Sequence, residues 1–176
     1  MAKSSKKEIE RDEKKVLYEL MRDSSQSLNV ISNKLGFSRQ KAWRFIKKLQ
    51  DEKTIWGYTA IVDSEKLGMK NYILMGKRSS KPMPKEIVEL VIYKKLEKLA
   101  KNCNCILVYT DYLNGEFDFV STFRAPRFQN AKRYQDEFNK LLQGYIERTM
   151  ILEVLFPLRT NGIFNPNIQN FSEFFL

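Results

Sequence analysis

The sequence predicts an α+β protein in two parts, an N-terminal winged helix-turn-helix domain joined to a C-terminal ferredoxin-like βαββαβ domain. Three observations carry that expectation. Residues 27–49, SLNVISNKLGFSRQKAWRFIKKL, hold two short helical patterns joined by Gly-Phe, each opening on a serine. Residues 54–62, TIWGYTAIV, are β-branched and aromatic around a single glycine, as a hairpin or bent strand serving as a wing would be. Beyond residue 72, strand-like and helix-like periodicities alternate in the order β-α-β-β-α-β. The partition that follows is 1–62 for the first domain, 63–71 for a linker, 72–157 for the second domain and 158–176 for a C-terminal arm or flexible tail.

The first domain opens with IERDEKKVLYELMRD at 9–23, a helix with Val16, Leu17, Leu20 and Met21 on one stripe. Asp12 and Glu13 fall in its early turns, where carboxylates suit the helix dipole. After the polar break Ser24–Gln26, Ser27 caps a second helix, 28–35, whose apolar set is Leu28, Ile31 and Leu35. Gly36 ends it, where a left-handed backbone costs least. Phe37 packs in the turn and Ser38 caps the third helix. There Ala42, Phe45, Ile46 and Leu49 recur at i, i+3, i+4 and i+7 as the core stripe. The other faces carry Arg39, Gln40, Lys41, Trp43, Arg44, Lys47 and Lys48. An outward tryptophan on a small surface helix points to a partner. The connector Asp63–Met69, closed by Gly68, leads to the second domain.

That domain reads as strand 72–78, loop 79–84, a helix over 85–101 with Val88, Val91, Ile92, Leu96 and Leu99 inward, and strand 103–113. Asn114-Gly115 signals a tight turn into strand 116–124. A helix over 126–144 with Phe128, Ala131, Phe138, Leu141 and Leu142 inward precedes strand 145–156. An antiparallel sheet of this kind has helices on one face only, so dimerisation is the usual cover for the other. The tail holds Phe164, Phe171, Phe174 and Phe175 among asparagines without a clear period.

Composition narrows the functional classes. Net charge is +10, and residues 1–53 hold 14 Lys/Arg against 8 Asp/Glu, so more than half of the surplus lies in under a third of the chain. A basic balance there suits a polyanion, because each cation on a phosphate releases condensed counterions. There is no histidine, hence no Ser-His or Cys-His nucleophile pair. Cys103 and Cys105 fall short of a structural zinc site and are expected as reduced, core-facing residues; no metal or cofactor is implied. No apolar run reaches the roughly 18 residues of a membrane span, and the N-terminus lacks the apolar core of a signal peptide, so a cytoplasmic protein is expected.

In this order the pieces resemble the Lrp/AsnC (feast/famine) family of transcription regulators over roughly residues 9–157. The resemblance rests on IERDEKKVL (9–17), SNKLGFSRQKAWRFIKKL (32–49), IWGYTAIVDSEKLG (55–68) and GEFD (115–118). The third is the most specific, since Ile55, Gly57, Tyr58, Ala60, Asp63, Leu67 and Gly68 all occupy the family's pattern between its two domains. It implies that the first domain binds DNA and that the second, the RAM domain, dimerises back-to-back through its sheets, with tetramers or octamers beyond. It also implies an amino-acid or other small effector bound near the turn holding Gly115 and Asp118, with Asp111 beside it. Two departures stand out: Lys53 replaces a glycine usual before the wing, and Phe117 replaces a tyrosine.

The expected function is therefore a sequence-specific, DNA-binding regulator acting on a roughly palindromic site. Ser38, Arg39, Gln40, Trp43 and Arg44 lie at the start of the third helix. Arginine can read guanine and glutamine adenine, while Lys41, Lys47 and Lys48 are placed for phosphates. The alternatives are an effector-independent or architectural DNA-binding protein, and an enzyme resembling siroheme decarboxylases, which share the frame but use histidines.

Overall fold

The computed structural model describes residues 5–92 and 95–176. They form two compact units, 1–61 with 158–176, and 62–157.

In the first unit α1 spans Lys6–Arg22, α2 Leu28–Leu35 and α3 Arg39–Asp51. α1 begins earlier than its apolar stripe, because Ser5 and Glu8 form a capping box: the Ser5 hydroxyl accepts from the Glu8 N–H, and the Glu8 carboxylate accepts from the Ser5 N–H. Ser27 and Ser38 cap α2 and α3, accepting from the Val30 and Lys41 amides. Gly36 takes φ 65°, its N–H donating to the Asn33 carbonyl and that of Phe37 to Ser32, a Schellman stop. Phe37 then meets Phe45 edge-on at 5.9 Å. Val16, Ile31, Ala42 and Leu49 are buried at the centre. Met21, expected on the α1 stripe, is exposed, because it sits about 140° around the helix from Val16 at about 100° per residue.

The wing is irregular. Residues 54–62 form no strand, since a strand exists through its ladder and these residues have no neighbour paired to them; the Ile55 N–H turns back to the Leu49 carbonyl at 3.0 Å. Lys53, where the sequence substitutes for glycine, holds φ 59°, in the left-handed region. The tail in this unit carries structure of its own, a short hairpin of β5 (Arg159–Thr160) and β6 (Ile163–Phe164) turned by Asn161 and Gly162 at φ 47° and 84°. Arg159 lies over the Phe164 ring at 3.9 Å, and a 3-10 helix covers Ile168–Phe175.

The second unit follows the predicted order: β1 (Lys70–Arg78), α4 (Lys85–Ile92), α5 (Lys95–Asn102), β2 (Ile106–Tyr112), β3 (Phe119–Ala125), α6 (Phe128–Leu141) and β4 (Ile146–Glu153). The helix expected over 85–101 is described as α4 and α5; Tyr93 and Lys94 lie outside the described residues. The sheet is antiparallel in the order β2-β3-β1-β4. Its helix-covered face buries Tyr72 and Leu74 of β1 and Phe119, Phe123 and Ala125 of β3 against Ala131, Tyr134 and Phe138 of α6. Phe128, Val88 and Ile92, expected inward, are exposed instead.

Two further sequence expectations change. Cys103 and Cys105 sit in the turn before β2, with Asn104 at φ 57°, rather than on the strand. Both thiols are free and buried, and burial pushes the Cys105 thiol up to about 12, which makes it a poor nucleophile. Asn114-Gly115 makes no left-handed tight turn: the β2–β3 connection is wider, closed by the Leu113 N–H on the Asp118 carbonyl at 2.8 Å. The competing pull comes from β1, where the Gly76 carbonyl accepts the Asp118 N–H and the Arg78 N–H donates to the Asp118 carboxylate.

Gly76 itself answers to packing, because a Cβ there would overlap the Phe119 ring. Gly76→Ala should lower the free energy of unfolding by about 1–3 kcal/mol in urea titration. Lys53→Gly should instead raise stability, by up to about 1 kcal/mol. The left-handed conformation costs an L-residue roughly 1–2 kcal/mol, and the unfolded freedom of glycine offsets part of the relief. Lys53→Ala, which keeps the strain, should leave the midpoint nearly unchanged.

Candidate nucleic-acid interface

α3 offers one face to the core and the other to solvent. Ala42 and Leu49 are buried, whereas Arg39, Gln40, Trp43, Arg44 and Lys47 are exposed. Trp43, at 53% exposure, is a large aromatic surface left open beside these cations. Lys47 Nζ lies 5.8 Å from its ring centroid. Arg39, Arg44 and Lys47 make no ion pair with any described residue. The hydroxyl of Ser38 is spent on the cap, which fixes where the N-terminus of α3 points.

Lys41 and Lys48 stand apart from this row. Lys41 Nζ lies 2.7 Å from Asp12 Oδ2 and 4.2 Å from the Phe37 ring centroid, and Lys48 Nζ lies 2.6 Å from Glu13 Oε1. Both acids are buried on α1. The Lys41 ammonium holds the Asp12 carboxyl below the usual carboxylate range, and Glu13 raises Lys48 above the usual lysine range. Sequence reasoning placed Asp12 and Glu13 near the dipole and missed this pairing. The signal was present: both precede Val16 by three or four residues, so they lie on the stripe that must be buried.

The three residues expected around an effector are brought to one end of the second unit by β2 and β3, with different local roles. Asp111 is exposed on β2. Gly115 is exposed, with open space where a Cβ would stand and no left-handed φ, so neither conformation nor contact requires glycine there. Asp118 is half-buried: its Oδ2 accepts the Arg78 N–H at 2.7 Å and lies 3.8 Å from Lys77 Nζ. Beside it Arg148 pairs with Glu116 and stacks 5.2 Å from the Phe117 centroid. Among the described residues no acid or cysteine cluster is disposed to hold a metal ion, and no helix is long and apolar enough to cross a membrane.

Comparison with known proteins agrees with this geometry. Residues 13–55 match the family described as winged helix-turn-helix DNA-binding. The chain is 27% identical over 149 residues to a proline dehydrogenase transcriptional activator of Rhizobium radiobacter, covering 85% of this chain and 90% of that one. Among solved structures it is similar to an AsnC family transcriptional regulator from Agrobacterium tumefaciens, with a TM-score of 0.60 at 17% identity over 91% of this chain and 97% of that one. It is also similar to a feast or famine regulatory protein from Mycobacterium tuberculosis complexed with L-methionine, with a TM-score of 0.62 at 16% identity, covering 87% and 94%. Each of these relatives is a regulator. Residues 13–55 therefore carry a winged helix-turn-helix of the DNA-binding kind, and the chain shares the fold of an AsnC family transcriptional regulator over 91% of its length.

Proposed function

We propose that the chain reads a roughly palindromic DNA site as a dimer or higher oligomer, each α3 lying in a major groove about one helical turn from its mate. The observation that carries this is the exposed row on α3, a tryptophan between unpaired arginines and a lysine on a helix whose opposite face is buried. Arg39, Gln40, Trp43 and Arg44 then face base edges. Lys47 and the Ser38-capped end of α3 face phosphates.

The uncovered side of the sheet supports self-association. Ile73 and Met75 of β1 pair with Leu152 and Met150 of β4, and Met75 pairs with Val120 of β3, so these side chains share the face without helices. Met150 and Leu152 remain about two-fifths exposed, an apolar patch of the kind that a second subunit covers. A small effector, an amino acid foremost, is assigned to the end of the sheet near Asp111, Gly115 and Asp118. The likeness to a neighbour solved with L-methionine supports that reading.

Selection of bound duplexes from a random pool, with and without a panel of amino acids, tests the whole proposal. A palindromic consensus whose recovery changes with one amino acid supports it; recovery without any consensus would point to an architectural protein. On the selected site, Arg39→Ala should cost about 1–3 kcal/mol and relax one base position, while Lys47→Ala should weaken all duplexes alike and lower the salt slope by about 1. Equal losses from both on selected and random DNA would sink these roles. Met150→Glu combined with Leu152→Glu should sediment as a 20.9 kDa monomer at concentrations where the parent is dimeric.

A further inference from the structure

We propose that Asp12 and Glu13 are positioning residues for DNA recognition: they hold Lys41 and Lys48 against α1, fixing α3 in one orientation and withholding two of its cations from the phosphate backbone. The inference rests on the DNA-binding reading above and deepens it.

The geometry is two-pointed. Lys41 and Lys48 are seven residues apart, two turns of α3, so they share one side of that helix. Their partners are adjacent on α1, each with only 11% of its side chain exposed, and the contacts measure 2.7 and 2.6 Å. One ion pair would let α3 swivel about it; two, spaced along its axis, resist rotation and sliding. Within α1 Lys15 lies 3.3 Å from the other oxygen of Asp12, and at the end of α3 Glu52 lies 3.8 Å from Lys48; these two pairs orient the acid and the lysine without spanning the helices. Lys41 is also wedged near the rings of Phe37 and Phe45, at 4.2 and 5.6 Å. Releasing Lys41 or Lys48 would strip a partner at 2.7 or 2.6 Å from a carboxylate with only 11% of its side chain exposed, so the two acids compete with a solvated phosphate for these ammonium groups.

The lysines are nonetheless within reach of a ligand: their side chains keep 32% and 46% of their exposure. Without their anchors they would join Arg39, Arg44 and Lys47 on the sequence-blind part of the interface. Phosphate contacts supply affinity to every sequence, so withholding two of them lowers non-specific binding while the base-reading row keeps its orientation. The acids thereby raise the ratio of specific to non-specific affinity.

The test measures affinity between 50 and 200 mM salt for the selected site and for a scrambled duplex of equal length. Asp12→Asn keeps the size of the side chain and removes its charge. It should steepen the slope of log affinity against log salt by about 0.9 on scrambled DNA, an additional loss of about 3.5-fold across that salt range. It should also reduce the ratio of specific to scrambled affinity, and adding Lys41→Gln should restore the parent slope. Glu13→Gln with Lys48→Gln forms a second, independent pair. Should either acid variant fail to fold by circular dichroism, Lys48→Gln alone decides: an unchanged slope supports the proposal, and a slope shallower by about 0.9 overturns it. An unchanged slope in folded Asp12→Asn also overturns it. Absence of any preference in the parent protein is a different result, one that would remove the DNA-reading function itself.

Discussion

α3 must satisfy two surfaces at once, and the first unit is organised by how that is achieved. Ala42 and Leu49 disappear into a small core with Val16 and Ile31, while Trp43, one position from Ala42, is half exposed. A core of that size cannot fix a helix by apolar contact alone, because the hydrophobic effect is non-directional and tolerates sliding. Direction comes from polar geometry: the serine caps set where α2 and α3 begin, the Schellman turn at Gly36 sets the angle between them, and two ion pairs bind α3 to α1. Each of these contacts is lost on a shift of an ångström or so. The exposed row inherits its precision from them.

The second unit faces the opposite problem. Its core is large and aromatic: Tyr72, Phe123 and Tyr134 are fully buried, Tyr72 stacking on Phe123 at 5.7 Å and Tyr134 meeting Phe123 edge-on at 5.0 Å. What it lacks is a second layer. Helices cover one face, and the other presents Ile73, Met75, Met150 and Leu152 in register across β1 and β4. An apolar sheet face of this kind suits self-association, because little order has to be created on binding. Ser64, buried at the entrance to this unit, donates to Asn71 and accepts from Arg124, which ties the first turn of the unit to β1 and β3.

The local chemistry of the helix-turn-helix was legible in the sequence to the residue. Ser27, Gly36 and Ser38 punctuate the helix-turn-helix because each solves a backbone problem through its own side chain or its lack of one. The element order along the chain followed from the alternation of periodicities, and with it the split βαβ motif. Features decided by distant partners were illegible. The wing looked like a strand by composition, yet β propensity describes fit to a neighbour, and residues 54–62 have none. Asn114-Gly115 carries a turn signal that the anchoring of Asp118 to Gly76 and Arg78 overrides, while Asn161-Gly162, in a stretch without periodicity, forms the hairpin. Lys41 and Lys48 looked free because their partners lie 29 and 35 residues away.

In the β2–β3 turn one side chain fixes the local fold at the place where the effector is proposed to bind. Asp118 accepts the Arg78 N–H through Oδ2, and its own N–H donates to the Gly76 carbonyl, so the turn is pinned to the end of β1. That pinning leaves Gly115 and Glu116 on an exposed bend, with Lys77 Nζ 3.8 Å from the Asp118 carboxylate and Arg148 paired to Glu116. Because the contact runs through the main chain of β1, a ligand that altered the hydrogen bonding of Asp118 would act on the strand carrying Ile73 and Met75. Those residues lie on the face proposed for self-association. The proposed effector turn and the proposed assembly face are thus joined along the main chain of β1 itself.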